Sequence, residues 1–222
     1  QGNVAVEYAL SDADCKMVKS VTSLPKVSGN PIKGPKGKGH FQPIKEDTYV
    51  FDIPNVNQWT AETPYLYTAE VSIYGTDGRL ADRVSEPFGV RTVEITADRG
   101  LLLNGKKVLL KGIANHHTLG VLGAAAFPRA IEKRIRLLKQ FGFNHIRCSH
   151  NPYSEDLYRL CDRYGLLVVD ELYDKWLTQY AGGRTEWTNL WQQDVPEWVK
   201  RDRNHPSVVL WSLGNELQTY PS

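Results

Sequence analysis

The chain has 222 residues, 41% hydrophobic and 23% charged, with a net charge of +2. That length holds one large or two small domains, and the composition is that of a folded globular protein rather than a disordered one. The near-neutral balance gives no electrostatic footprint for nucleic acid or an anionic membrane, and no run of about 18 apolar residues is present to span a bilayer. The three cysteines, Cys15, Cys148 and Cys161, are odd in number and irregularly spaced, so they do not read as a disulfide framework. Cys148 and Cys161 sit in apolar segments as buried thiols, and none of the three has the base and orienting partner of a nucleophile. The N-terminal Gln1-Gly2-Asn3-Val4 reads as a cut edge or a mature end and records no compartment.

Residues 1–94 have β patterning. Val4–Leu10 alternates and ends in the turn Ser11-Asp12-Ala13-Asp14. Thr48–Pro54 predicts a second strand. Leu66–Tyr74 predicts a third, followed by the turn Gly75-Thr76-Asp77-Gly78, and Arg83–Val93 predicts one or two more. Short strands at this spacing indicate a β-sandwich, with a strand count low for a complete one. Residues 30–40 form a Gly/Pro/Lys stretch that reads as a solvated connection rather than a phosphate loop, because no helix follows it.

After residue 95 the patterning changes. Lys107–Ile113 predicts a strand. Pro128–Phe141 predicts a helix with Ile131, Ile135, Leu138 and Phe141 on one stripe, stopped by Gly142. Asn144–Cys148 is the next strand, and a helix capped by Ser154 runs to Tyr164 before Gly165. Leu166–Asp170 is an apolar strand, Asn189–Arg203 a helix containing Pro196, and Ser207–Leu213 a fourth strand. Alternating strands and helices imply parallel βαβ units, either in an open doubly wound sheet or in a (β/α)8 barrel. A nucleotide-binding sheet calls for a Gly-rich turn after its first strand, and that turn here is Ala114-Asn115-His116-His117. Each strand instead ends in polar groups: Asn115 and His116, Arg147 and His150, Asp170 and Glu171, Asn215 and Glu216. This is the pattern of a barrel's C-terminal face, with four strands supplying half a barrel.

Several stretches carry a family resemblance. Asn144-His145-Ile146-Arg147-Cys148-Ser149-His150-Asn151-Pro152, with Leu160 to Glu171, resembles one motif of glycoside hydrolase family 2. Arg201 to Glu216, ending Ser212-Leu213-Gly214-Asn215-Glu216, resembles that family's acid/base motif almost residue for residue. Trp59 to Tyr67 and Phe88-Gly89-Val90-Arg91 look like the end of the family's immunoglobulin-like domain, and Leu103 to Val108 looks like the entry into its barrel. The resemblance implies an immunoglobulin-like β-sandwich over 1–94, followed over 95–222 by the first four β/α units of a TIM (β/α)8 barrel. It implies a retaining hydrolase of terminal β-linked galactose, with β-glucuronidase and β-mannosidase as alternatives within the family and a non-catalytic carbohydrate-binding module as the alternative outside it. Glu216 maps onto the general acid/base and Asn215 onto the residue that contacts the sugar 2-hydroxyl. Arg147 and His150 map onto the pocket lining. His116 falls where the galactosidases place a sugar-binding His, in a loop worded differently from their Asn-Arg-His-Glu.

Retaining hydrolysis needs two carboxyl groups about 5–5.5 Å apart. In the family the nucleophilic Glu comes from a later strand, so the 222-residue chain alone is expected to be inactive. Asp170 and Glu171 are expected to orient Arg147 and shape the pocket rather than act as nucleophile. Burial beside a carboxylate is expected to raise the pKa of Glu216. No cofactor and no metal are expected. Leu172-Tyr173-Asp174-Lys175-Trp176 lacks the Glu and His that bind Mg²⁺ in many galactosidases of the family, and His116, His117, His145 and His150 are irregularly spaced for zinc. Of the aromatics Trp176, Tyr180, Trp187, Trp191 and Trp198, Trp176 is the candidate for stacking on a sugar, whereas Trp191 and Trp198 are assigned to the core and mid-strand Trp211 to barrel packing. The expected partners are a β-galactoside or related oligosaccharide and, for assembly, a second copy of the chain, with no nucleic acid and no membrane.

Overall fold

The computed structural model describes residues 5–23, 51–176, 185 and 187–216. The stretch 30–40 and Tyr180 lie outside the described residues. Two compact units result, one from 1–56 with 67–87 and the other from 57–66 with 88–222.

The first unit is a four-stranded antiparallel sheet in the order β2-β1-β3-β4. Its strands are β1 (Ala5–Ser11), β2 (Met17–Ser23), β3 (Tyr67–Tyr74) and β4 (Leu80–Phe88). The β1–β2 turn is pinned by Asp12, whose Oδ1 accepts from the backbone N–H groups of Asp14 at 3.1 Å and Lys16 at 2.8 Å. The strand expected over 48–54 differs within its described part, because Phe51–Pro54 join no ladder. Pro54 has no N–H to pair, and Asn55 then turns the chain at φ 53°.

The second unit begins its strands with a small antiparallel sheet of β5 (Val93–Thr96), β6 (Gly100–Leu103) and β7 (Lys106–Lys107). Four parallel strands follow: β8 (Gly112–Asn115), β9 (His145–Cys148), β10 (Leu167–Tyr173) and β11 (Val208–Gly214). Helices α1 (Pro128–Gln140), α2 (Glu155–Tyr164) and α3 (Trp187–Asp202) connect them. The sheet order is β11-β10-β9-β8, so each strand lies beside its predecessor. A doubly wound sheet reverses its order at a switch point and a barrel does not, and the observed order is therefore that of a half-barrel.

Local chemistry explains where these elements begin and end. Pro128 opens α1, and Ile131 and Ile135 are its buried stripe, while Phe141, expected on that stripe, stands at the C-cap and is exposed. Gly165 ends α2 in the left-handed conformation, φ 70°. Ser154 holds the N-cap position of α2 without a side-chain capping bond, and Glu155 and Asp156 in the first turn favour the helix dipole instead. The strand expected over 107–113 starts later. Asn144 bonds the backbone of Lys111 at 2.7 Å through Oδ1 and that of Leu109 at 2.9 Å through Nδ2, bending this segment, and pairing begins at Gly112 opposite His145. Pro196 falls inside α3, where it withholds one backbone donor.

Strand alternation sorts the residues into two layers. Ile146, Cys148, Val168 and Val208 face the helices and pack with Ile131, Ile135, Leu157, Tyr158 and Cys161. Leu167 and Val209 face the other way and pack with Trp59, Ala61 and Leu103. Two of the motifs recognised in the sequence hold this layer together. Arg91 donates to the carbonyls of Pro206 at 2.6 Å and Val208 at 2.7 Å. Buried Asp162 accepts from the Ser207 backbone at 3.0 Å and His205 Nδ1 at 2.6 Å, and its own carbonyl accepts from Trp59 Nε1 at 2.8 Å. Much of the Arg201–Glu216 stretch therefore anchors the start of β11 rather than touching the strand-end cluster.

Candidate active site at the strand ends

The C-terminal ends of β9, β10 and β11 carry a polar cluster centred on Glu171. Its carboxylate is fully buried and accepts two parallel bonds from Arg147, Nε to Oε2 at 2.9 Å and Nη2 to Oε1 at 3.0 Å. His150 Nδ1 lies 2.8 Å from Oε1, and because a carboxylate only accepts, the proton is on Nδ1. Ser212 donates to Oε2 at 2.7 Å. Two cationic or polar donors from β9 and a hydroxyl from β11 thus saturate one carboxylate of β10. Arg147 also donates to Asn215 Oδ1 at 3.2 Å, which fixes the side chain next to Glu216.

One irregularity makes this possible. Val168 pairs with Val208 but Val169 pairs with Leu210, so β11 contains one extra residue. The shift puts Trp211 on the helix side, 4.8 Å edge-to-face from Trp198, and Ser212 on the inner side against Glu171. A one-residue change of register would exchange them. Trp211 therefore packs against α3, with 40% of its surface still exposed.

The neighbouring carboxylate behaves differently. Asp170 points into the helix layer, where it accepts from Tyr158 Oη at 2.7 Å and Trp198 Nε1 at 2.7 Å and bonds Asp202. Burial, with Asp202 nearby, pushes its pKa up to about 7. The expectation that Asp170 and Glu171 both orient Arg147 holds for Glu171 only, because successive strand residues face opposite ways.

Glu216 stands just past β11 in the left-handed region, φ 43°, with a side chain 66% exposed. Its carboxylate receives Lys175 Nζ at 2.9 Å. The hydrogen bond and charge of Lys175 hold Glu216 below the ordinary glutamate range. The expected upward shift is therefore corrected: the side chain is mostly exposed, and the contact with the Lys175 cation outweighs what desolvation there is. Sequence reasoning noticed Lys175 only as part of a stretch lacking metal ligands, and Ser212 only as motif wording.

The other candidates divide. His116 is exposed, with its ring 5.1 Å from that of His150, so both stand at the mouth of the site. Asn115 is committed to structure, donating to Tyr153 Oη at 2.9 Å and accepting from Arg134 at 2.8 Å. Trp176 is only 8% exposed and donates from Nε1 to the Asn215 carbonyl at 2.7 Å. It packs edge-on to Trp187 at 5.3 Å and lies so close to Gly214 that a Cβ there would stand 2.8 Å from its ring. Trp176 thus supports the Asn215 backbone from below and presents little open face. Trp198 is buried, whereas Trp191, assigned to the core, is 43% exposed. His117 stacks on Tyr153 at 3.7 Å and His145 is half-buried in β9 opposite Gly112, so the four histidines do not converge. Among the described residues no group of three or more His, Cys, Asp or Glu has the arrangement to hold a metal ion.

A half-barrel with a carboxylate–arginine–histidine cluster and an Asn-Glu pair at its strand ends has the layout of a barrel's C-terminal face rather than of a nucleotide-binding sheet. Comparison with known proteins makes the class specific. The family model for the TIM barrel domain of glycosyl hydrolases family 2 matches residues 93–220, and a second model for glycosyl hydrolases family 2 matches residues 1–91. The chain belongs to glycoside hydrolase family 2, with an immunoglobulin-like sandwich part followed by the first four β/α units of a TIM barrel.

It is 38% identical over 203 residues to a β-galactosidase of Bacteroides ovatus, covering 88% of this chain and 23% of that protein. It is 36% identical over 221 residues to a β-galactosidase of Alteromonas mediterranea, covering 98% of this chain and 20% of that one. Among solved structures, a family 2 member from Bacteroides cellulosilyticus superposes with a TM-score of 0.77 at 38% identity, over 97% of this chain and 27% of that chain. A β-glucuronidase of Parabacteroides merdae superposes with a TM-score of 0.76 at 26% identity, over 95% and 24%. The chain spans roughly a quarter of the length of these relatives.

Proposed function

We propose that this chain is the acid/base half of a retaining β-galactosidase-type glycoside hydrolase, acting on a terminal β-linked galactose or a related oligosaccharide. Glu216 is its general acid/base, Asn215 contacts the 2-hydroxyl, and Arg147, His150 and His116 line the sugar pocket. Trp176 contributes by holding the Asn215 backbone. The observation that carries the reading is the bond from Arg147 to Asn215, which ties the Asn-Glu pair of β11 to the Glu171 cluster of β9 and β10. A second reading, β-glucuronidase, is favoured by the Parabacteroides merdae likeness and by the cations Arg147 and Lys175 beside the site.

Double displacement needs a nucleophilic carboxylate as well as the acid/base. Glu171 is buried and fully bonded, so it is not available for attack. The test is a panel of aryl glycosides with the polypeptide as its gene encodes it and, separately, with the 222-residue chain. Glu216→Gln in the former lowers kcat on poor leaving groups by about 10²–10⁴-fold, and the latter turns over none of the panel. Turnover by the 222-residue chain that Glu171→Gln abolishes would overturn the assignment of roles, and selective cleavage of a glucuronide would replace the galactosidase reading.

A further inference from the structure

The charged groups that act on Glu216 are Lys175 and Asp174 from the end of β10 and His150 from the end of β9, with Arg147 bonded to the adjacent Asn215. Arg147 and His150 are already bound to Glu171. Lys175 is not so committed. It stands between two carboxylates, with Nζ 2.9 Å from Glu216 Oε2 and 3.7 Å from Asp174 Oδ1. Asp174 is tied to the same site, because its Oδ1 lies 3.4 Å from Asn215 Nδ2.

An acid/base must exist in two forms. It carries a proton to give to the glycosidic oxygen as the C–O bond breaks and the alcohol departs. It must then be ionised to take a proton from the water that adds to the sugar. A cation in fixed contact would favour only the ionised form. A cation with two carboxylates within reach can serve both, pairing with Glu216 when that group is ionised and with Asp174 when it is protonated.

We propose that Lys175 is a positioning cation that alternates between Glu216 and Asp174, holding Glu216 as the proton acceptor once its proton has gone to the leaving group and releasing it when it carries a proton again. The proposal rests on the reading of Glu216 as acid/base. The electrostatics of the site point the same way. Lys175 draws Glu216 down while Asp174 opposes it, and both carboxylates raise Lys175. His150 draws Glu216 down in the same direction as Lys175.

The test has one arm that does not depend on activity. Carboxyl ¹³C NMR on the 222-residue chain follows the titration of Glu216. Lys175→Met moves its midpoint up, Lys175→Arg leaves it near the wild-type position, and Asp174→Asn moves it down because Lys175 keeps a single partner. A Glu216 midpoint that is the same in Lys175→Met as in wild type overturns the proposal. Should the Met variant fail to fold, an unmoved midpoint in Asp174→Asn does so instead. In the polypeptide as its gene encodes it, the alkaline limb of kcat/KM on a poor leaving group shifts to higher pH in Lys175→Met. That raises the rate there by about threefold, the size expected of an exposed ion pair. An activated aryl leaving group, which needs no proton, shows no such gain. If Glu216→Gln leaves the poor-leaving-group rate intact, the functional reading fails while the NMR arm still decides the Lys175–Glu216 contact. If that variant is inactive and the NMR midpoint does not move with Lys175, only the present proposal fails.

Discussion

Asp170 and Glu171 are consecutive carboxylates on one strand, both fully buried, and they live in opposite electrostatic worlds. Glu171 faces inward to a guanidinium, an imidazole and a hydroxyl. Asp170 faces the helices, where its direct donors, Tyr158 Oη and Trp198 Nε1, are neutral and a second carboxylate, Asp202, lies close. Asp202 is itself charge-compensated, at 2.7 Å from Arg201 Nε and 2.5 Å from Nη2. The difference shows that burial alone does not decide ionisation. A buried carboxylate stays charged where a cation and good hydrogen bonds replace water, and holds its proton towards neutrality where only dipoles are offered. One strand thus carries an ion-paired organiser on its inner side and a titrating structural acid on its packing side.

The largest way to break this contrast is to neutralise the organiser. Glu171→Gln keeps shape and most bonding geometry but leaves Arg147 without its counterion. Breaking such a buried pair costs about 3 kcal/mol, which for a chain of this size lowers Tm by about 6–12 °C. Thermal unfolding at pH 7 measures it, and a Tm within about 2 °C of wild type would show that solvent at Arg147 replaces Glu171.

Asp170→Asn probes the other side, with a smaller effect and a distinct sign. A carboxyl whose pKa is raised in the folded state keeps its proton where the unfolded chain has lost it. Its contribution is fully present below the ordinary pKa near 3.8, declines as pH rises, and is gone above about 7. Wild-type stability from this group therefore falls between about pH 4 and pH 7. The amide cannot ionise, so that fall disappears in the variant. At pH 5 the variant is less stable by about 1 kcal/mol, since one of the two donors loses its acceptor. Urea unfolding across this range checks both features, and an unchanged pH slope would place the titrating proton elsewhere, with Asp202 the next group to substitute.

How much of this was readable beforehand follows from which interactions are local. Alternation, the Gly165 stop and the polar strand ends are local, and they marked β9, β10, α2 and the face carrying Arg147, His150, Asn215 and Glu216. The opposite orientation of Asp170 and Glu171 is also local, but which of them faces inward depends on the side the helices cover, and which β11 residue meets Glu171 depends on the extra residue of β11 at the register shift. The Lys175–Glu216 contact joins positions 41 apart through a chain segment just past β10, where strand periodicity no longer applies. It reversed the expected titration of Glu216 because neither its exposure nor that partner is written in the motif. Trp191 failed for a related reason. Helical spacing puts it in line with Trp198, but does not say how far along the helix the packing layer reaches.

The smallest of these effects tests whether the Glu171 cluster acts as a unit. Ser212 Oγ donates one short bond to Glu171 Oε2, which Arg147 also engages. Ser212→Ala removes that donor without leaving a buried charge unpaired, so its cost is about 1 kcal/mol rather than the larger penalty of losing a counterion. Made in the Glu171→Gln background, the same substitution should cost clearly less, since the hydroxyl then meets a neutral amide oxygen. A double-mutant cycle with a coupling of at least about 0.5 kcal/mol is expected for residues in direct contact. The corresponding cycle between Ser212→Ala and Asp170→Asn should be additive, because those two side chains lie on opposite faces of the sheet and share no partner. Coupling in the second cycle equal to that in the first would mean that the strand transmits charge between its faces, and the separation of organiser from structural acid would not hold.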